Sequence, residues 1–481
     1  MSAPPLGAKA VFKEVLRTNS GRAAIALLAA IVSLALLVPF YAPYDVVKLW
    51  NDRRAWMDNP PCAAPEWVQY FTDRKLPKTI IGEPDDFIKK RYVSEIVANR
   101  TVIPMVLIIM IYFFDYDYDE FPNFLSPFIL HIEPLTNQTV SVTVTLTRPD
   151  KEEVELLLNY PLSKPIDLRE TDDPVKEAAR ELFIRACGQP PSEQIRPHIV
   201  LFAEKGPDMN DPTKARVLKG EYKISINAMI LGDPNADLVA KFALYGRIFG
   251  MAGTDYNRRD LLIGLLWGAP VALAFGMVAA VAVTLIQTLL GVISGYFGGR
   301  IDEAIQRATE LMMVIPILPI IILIFFIYGS NIWILLALLV IFGVVGSTTK
   351  TVRSMVPSIK AEQYILAAKS YGASSWRIIF KHVLPRVLPY TFANIALGVP
   401  GYIFLEASLS LLGLGDPTLP TWGKILSDAE LHKAAYYGYW WWVVLPAACI
   451  GITAAAFALL GYAFDKVVNP RLRELLSLIH I

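Results

Sequence analysis

Tyr364-Ile-Leu-Ala-Ala-Lys-Ser-Tyr-Gly-Ala-Ser-Ser-Trp-Arg-Ile-Ile-Phe-Lys-His-Val-Leu-Pro385 is a basic, amphipathic stretch standing between two long apolar runs. Glu362 to Tyr371 has the make-up of a short helix, and Gly372 can end it because glycine tolerates the left-handed conformation of a helix cap. A second amphipathic segment follows, with Trp376, Ile379, Phe380 and Val383 expected on one side and Arg377 and Lys381 on the other. Pro385 marks the start of the next run. Ala367 and Ala368 give the first helix a low surface that fits a partner's groove; the plain alternative is an ordinary basic loop between two membrane spans.

Outward from this stretch the chain is strongly apolar. Of its 481 residues 54% are hydrophobic and 19% charged, and the excess gathers in runs of the length that crosses a bilayer, about 20 residues. Ala23–Phe40 carries no charge over 18 residues. A secretory signal is the rival reading of that run, but its apolar core would be shorter, and no small-x-small cleavage site precedes Tyr41. Before it, Lys9 to Arg17 has the spacing of a helix lying on an anionic membrane surface. Further runs follow at Leu261–Ile293, Val314–Tyr328, Ile332–Ser347, Val387–Leu412 and Trp441–Phe464, giving six expected spans.

Between the first two spans the composition is that of a soluble domain. Thr139-Val-Ser-Val-Thr-Val-Thr-Leu-Thr147 alternates apolar and hydroxyl side chains, so one face of a strand enters a core and the other meets water. Arg148-Pro149-Asp150 supplies a turn and Val154–Leu158 a returning strand; Tyr222, Ile224, Ile226, Ala228 and Ile230 repeat the two-residue period. Asp173-Pro174 opens a helix that Gly188 closes. The run Val102–Phe114 holds Pro104 and is short for a span, so it is expected as a buried strand or helix of this insert. Another crossing there would also turn every later basic loop outward. Cys62 and Cys187 both fall in the insert and leave two readings open, one bridge or two unrelated thiols.

The basic residues orient the chain by the positive-inside rule. With the amino terminus inside, the cytoplasmic segments hold Arg300 and Arg307, then Lys350, Arg353, Lys360, Lys369, Arg377, Lys381 and Arg386, then Lys466, Arg471 and Arg473. A net charge of +1 provides no field to hold nucleic acid.

The stretch 361–385 resembles the coupling loop of ABC importer permeases, with Ala367, Ala368, Gly372, Leu384 and Pro385 in the loop's fixed places and Leu366 where glutamate is usual. Gly253-Thr-Asp-Tyr-Asn-Arg-Arg-Asp260 is similar to a signature ahead of the second span, with Arg258 where glycine is usual. Gly295-Tyr-Phe-Gly-Gly-Arg-Ile-Asp302 resembles the turn after that span. Leu405-Glu-Ala-Ser-Leu-Ser-Leu-Leu-Gly-Leu-Gly415 with Pro420-Thr-Trp-Gly423 resembles the outer end of the fifth. Together they mark the dipeptide/oligopeptide/nickel permeases, the second subunit of the pair, over residues 250–473 and weakly 8–43.

The resemblance implies an all-α membrane protein of six spans; the strand and helix patterns at 44–250, most of which the resemblance does not cover, add an inserted α+β extracytoplasmic domain. The expected division is an interfacial helix and first span in 1–43, the insert in 44–250, a permease core with five spans in 251–474, and a tail in 475–481. By resemblance Tyr364, Ala367, Ala368, Gly372, Ala373, Leu384 and Pro385 couple to the ATPase, while Gly253, Thr254, Asp255, Arg259, Asp260, Glu406, Ser408, Gly413, Gly415, Trp422 and Gly423 are structural or line the pathway. Glu406 stands either on the translocation path or in a structural hydrogen bond. The implied partners are a homologous permease, two ABC ATPase subunits, a solute-binding protein and the lipid bilayer. The implied location is the bacterial inner membrane, with both termini cytoplasmic.

The chain has no Gly-x-x-x-x-Gly-Lys-Ser/Thr loop. It is therefore expected to be non-catalytic and without a cofactor or metal of its own, the ATP and Mg belonging to the partner ATPases. Short peptides are the expected cargo, with nickel chelates and oligosaccharides as alternatives. A secondary transporter would show paired charges within spans and an internal repeat, which are not seen here; a membrane sensor would use the insert to bind ligand without transport. The expected role of the insert is to receive the binding protein or its solute.

Overall fold

The computed structural model describes residues 13–98 and 101–468. Residues 9–12 of the expected interfacial helix, Arg471, Arg473 and the tail 475–481 lie outside the described residues. The chain divides into two compact units, residues 52–262 and residues 1–51 with 263–481.

The second of these is helical. Helix α1 (Asn19–Tyr41) is capped by Thr18, whose hydroxyl accepts from the Gly21 N–H at 3.0 Å. Its 23 residues reach about 35 Å, enough to cross a bilayer. Leu36, Leu37 and Phe40 stand 68%, 62% and 86% exposed, the pattern of a helix surrounded by lipid. Helix α3 (Leu261–Phe297) is reached after the insert, whose helix α2 (Asp173–Cys187) is described below. After α3 come α4 (Gly299–Val314), α5 (Ile317–Tyr328), α6 (Ile332–Phe342), α7 (Ser347–Lys360), α8 (Gln363–Ser370), α9 (Ser375–Ile378), α10 (Leu384–Leu409), α11 (Trp422–Leu431) and α12 (Trp440–Val468). Among the described residues five helices are long and apolar enough to cross a membrane, and six if a pair bent by 74° counts as one.

That pair, α4 and α5, differs from the straight third span expected at Val314–Tyr328. Ile315 is extended and Pro316 precedes α5. Proline disfavours the helical region for the residue before it and lacks the N–H that would continue the ladder, so the helix breaks there. Alone, the 12 residues of α5 reach about 18 Å.

Small residues let the helices approach. A Cβ on Gly291 would lie 2.7 Å from the Thr349 carbonyl oxygen, and one on Gly295 2.7 Å from that of Arg353, so α3 and α7 touch backbone to backbone. Helix α12 packs along both α1 and α10.

Unit 52–262 is dominated by strands. One antiparallel sheet has the order β1-β9-β4-β7, from β1 (Ile80–Gly82), β4 (Phe128–Leu135), β7 (Ile166–Arg169) and β9 (Asp237–Leu244). The other runs β2-β3-β8-β5-β6, from β2 (Ile88–Ala98), β3 (Thr101–Tyr116), β5 (Val140–Thr147), β6 (Glu153–Leu162) and β8 (Gly220–Leu231). The alternation read at 139–147 becomes β5, with Val140, Val142, Val144 and Leu146 buried. The apolar run at 102–114 becomes β3, registered against β2 and β8. Both sheets contribute to one core, where Phe114 and Phe242 meet at 5.4 Å. Helix α2 adds Val175, Ala179 and Leu182 to it and ends at Gly188, φ +71. No bridge joins Cys62 to Cys187; the Cys187 thiol donates to the Gly206 carbonyl at 3.1 Å.

Candidate functional site

Helix α8 is held to its unit chiefly by Ile365. That side chain is 2% exposed and belongs to a cluster with Val292, Val352, Val356, Ile378, Ile379, Val383 and Val387. Leu366, Ala367, Lys369 and Ser370 are exposed and Ala368 is half-buried, so the outward face is low and open. At the C-terminus the Ala367 carbonyl accepts from the Tyr371 N–H at 3.0 Å and the Ala368 carbonyl from the Ala373 N–H at 3.1 Å, while Gly372 turns the chain at φ +79. Ser374 then caps α9, accepting from the Arg377 N–H at 3.4 Å. Tyr364 at the other end lies under the Arg386 guanidinium, 5.5 Å from its ring centre, and 6.0 Å from the His382 ring. Leu384 and Pro385, both half-buried, begin α10.

The amphipathic face expected after α8 is corrected by the structure. Ile378, Ile379 and Val383 are buried, but Trp376 and Phe380 are each 53% exposed and stack on one another at 6.0 Å. The cause is a five-residue π turn, Ile379–Val383. Its wider hydrogen-bonded ring takes in one more residue than an α-turn and shifts the helical register on which the expectation rested.

Two residues missed at the sequence level tie this region together. Asp302 on α4 accepts from two guanidinium nitrogens of Arg353 on α7, Nε and Nη2, and the Ser294 hydroxyl of α3 donates to the same carboxylate. Asp302 closes the Gly295–Asp302 motif, which was its only signal; Arg353, 51 residues away, had none.

The motif 253–260 is a staple within unit 52–262. Thr254 donates its hydroxyl to the Pro60 carbonyl at 2.6 Å and accepts from the Ala63 N–H at 2.9 Å. Asp255 is fully buried and pairs with Arg259 at 2.5 Å, also accepting that residue's N–H at 2.9 Å. Gly253, at φ +74, accepts from the Leu261 N–H at 3.1 Å, and Asp260 accepts from the Leu262 N–H at 2.9 Å.

Glu406, 8% exposed, accepts from Ser410 at 2.9 Å and Thr421 at 2.8 Å through one oxygen. Gly423 sits against it: a Cβ there would lie 2.6 Å from Ala407 Cα and 3.0 Å from the second Glu406 oxygen. Trp422 donates to the Leu265 carbonyl at 2.8 Å and lies on Gly268. Gly413 turns the chain at φ +79, and a Cβ on Gly415 would strike Ser410. Ser408 is not part of this set; it is exposed and donates to the Phe404 carbonyl at 2.7 Å.

The family described as "Binding-protein-dependent transport system inner membrane component" matches residues 287–474, from within α3 through α12. The dipeptide transport system permease protein of Bacillus subtilis (strain 168) is 35% identical over 46% of this chain and 69% of its own length. The oligopeptide transport system permease protein of the same organism is 34% identical over 46% and 72%. The glutathione transport system permease protein of Pectobacterium atrosepticum is 30% identical over 46% and 73%. The chain belongs to this family. The resemblance carried by the four motifs is thereby borne out, and with its apolar helices the chain is a multi-pass inner-membrane permease. More than half of the chain lies outside those alignments, and the β-sheet unit lies outside the family match.

Proposed function

We propose that this chain is one permease of a pair in an ATP-driven importer of short peptides, with ATP hydrolysed by two separate subunits and solute delivered by a binding protein. The relatives named for dipeptide and oligopeptide transport support the cargo. The observation that carries the coupling is an exposed, alanine-faced helix, α8, joined to its unit through the single buried residue Ile365. Force on α8 reaches α3 and α7 through the Ile365 cluster and α10 through Tyr364 and Arg386. A coupled rigid-body movement between two states then alternates access.

On this reading there are six crossings: α1, α3, the bent α4–α5 pair, α6 with α7, α10 and α12. Both termini and α8 are cytoplasmic, as the basic residues on α7 to α10 favour. The strand-rich insert is extracytoplasmic and receives the binding protein or its solute; deletion of residues 45–240 with uptake and docking unchanged would remove that role. A cysteine at Ala368 in the assembled transporter is expected to crosslink to the ATPase, and cells carrying the complete system are expected to take up labelled tripeptide. A crosslink confined to extracytoplasmic partners overturns the coupling, and uptake of nickel chelates or oligosaccharides instead of peptide overturns the cargo.

A further inference from the structure

Unit 52–262 holds a cavity of about 520 Å3, lined entirely by its own residues. Its walls carry four guanidinium groups, from Arg53, Arg54, Arg169 and Arg258, and two carboxylates, from Asp167 and Glu170. Three of these six groups are satisfied. Arg258 donates to the Met57 and Asn59 carbonyls at 3.1 and 3.2 Å and to the Ser126 hydroxyl at 2.9 Å. Asp167 holds Arg169 at 3.2 Å with one oxygen and the His131 ring at 2.7 Å with the other.

The other three are open. Arg53 and Arg54 are exposed side by side, and neither has an ion pair among the described residues. Glu170 is only 14% exposed; its Oε1 takes both the His198 ring at 2.7 Å and the His198 N–H at 3.4 Å, and Oε2 has no partner among the described residues. Oε2 is thus a free acceptor on the cavity wall, and two adjacent guanidiniums without a counter-charge repel one another. Both are met by one ligand that carries an ammonium and a carboxylate. A purely anionic group, such as a lipid phosphate, would answer the arginines and leave Glu170 unmatched. Met57, Leu125 and Ile129 supply apolar wall between.

We propose that this cavity binds a short peptide by its two free termini, the carboxylate on Arg53 and Arg54 and the ammonium on Glu170. Guanidinium recognises carboxylate in a planar, two-bond geometry that suits such a role. The inference rests on the peptide-importer reading and adds to it a solute site on the permease itself, in a part of the chain that lies outside the family match.

The test uses the purified full-length chain in phosphatidylcholine nanodiscs, without binding protein, titrated calorimetrically with trialanine, N-acetyl-trialanine and trialanine amide. Trialanine is expected to bind, and blocking either terminus to weaken binding about tenfold or more, the scale of one hydrogen bond to a charged group. The Arg53→Ala/Arg54→Ala variant should lose the distinction between acid and amide, and Glu170→Gln the distinction between free and acetylated peptide. No heat with trialanine, equal affinity for all three probes, or both distinctions surviving in both variants overturns the proposal. So does displacement of trialanine by phosphatidylglycerol in the nanodisc, which assigns the cavity to lipid. Uptake of labelled trialanine by cells carrying the whole system is read separately. Uptake without binding removes the site and leaves the importer; binding without uptake does the reverse.

Discussion

The Arg258 guanidinium lies 4.1 Å from the centre of the Tyr245 ring, although the Arg258 backbone stands at φ +68. That conformation favours glycine and costs another residue about 1 kcal/mol or more, and glycine is what the resembling family motif has at this place. The side chain offsets the strain. Its bonds to Met57, Asn59 and Ser126 join three segments, and Tyr245 itself donates to the Met57 carbonyl. Arg258→Gly removes strain and contacts together, whereas Arg258→Ala loses the contacts and keeps the strain. Denaturant midpoints of the insert should therefore rank wild type above Gly above Ala, with about 1 kcal/mol between the two variants. An alanine variant as stable as wild type would show that the contacts contribute nothing.

Burial holds the Asp260 carboxyl above the ordinary aspartate range, and the Leu262 N–H pulls it back only in part. A raised acid binds its proton more tightly in the folded chain than in the unfolded one. Its contribution to stability is then greatest at low pH and declines as pH climbs from the unfolded value through the folded one. Asp260→Asn keeps an acceptor for Leu262 and abolishes the titration. The stability of wild type minus that of the variant should fall as pH rises above the ordinary aspartate value of about 4, measured by hydrogen exchange at residues 254–262. A flat difference removes the argument.

What could be read beforehand was local. The two-residue period of Val140 to Leu146 foretold β5 because one face of that strand is packed and the other is not. Gly372 foretold its own turn because few other residues accept φ +79 without strain. Apolar length found the long apolar helices but not the 74° bend, which depends on Pro316 breaking a run that hydropathy alone leaves whole. Trp376 and Phe380 were assigned to the wrong side because a π turn leaves no mark on side-chain polarity. The pairing of Asp302 with Arg353, like the cavity between Arg53 and Glu170, joins residues far apart in the chain, and only the fold brings them together.

Glu406 separates a structural carboxylate from a pathway one. Ser410 and Thr421 both donate to the same oxygen, so a glutamine carbonyl can replace it. Glu406→Gln should retain most transport, whereas Glu406→Ala leaves two buried hydroxyls without their acceptor at a cost of about 1–3 kcal/mol. Yield of folded protein and peptide uptake, measured on both variants, distinguish the roles. Loss of uptake in a well-folded glutamine variant would show that the charge itself acts on the solute.

The coupling proposed for α8 predicts a separation between folding and transport. Ala368 is half-buried on a helix anchored elsewhere, by Ile365, so Ala368→Arg enlarges the outward surface without entering the buried cluster. Its unfolding midpoint should stay within about 0.5 kcal/mol of wild type, while co-purification with the ATPase and uptake should fall together. Ile365→Ala acts from the other side. It opens a cavity beneath α8, with a loss of about 2–5 kcal/mol, and leaves the outward face chemically unchanged. ATPase binding that survives Ala368→Arg would mean that contact is made elsewhere. Transport that survives Ile365→Ala with α8 loosened would mean that movement reaches the spans by another route, leaving Tyr364 against Arg386 as the remaining mechanical link to α10.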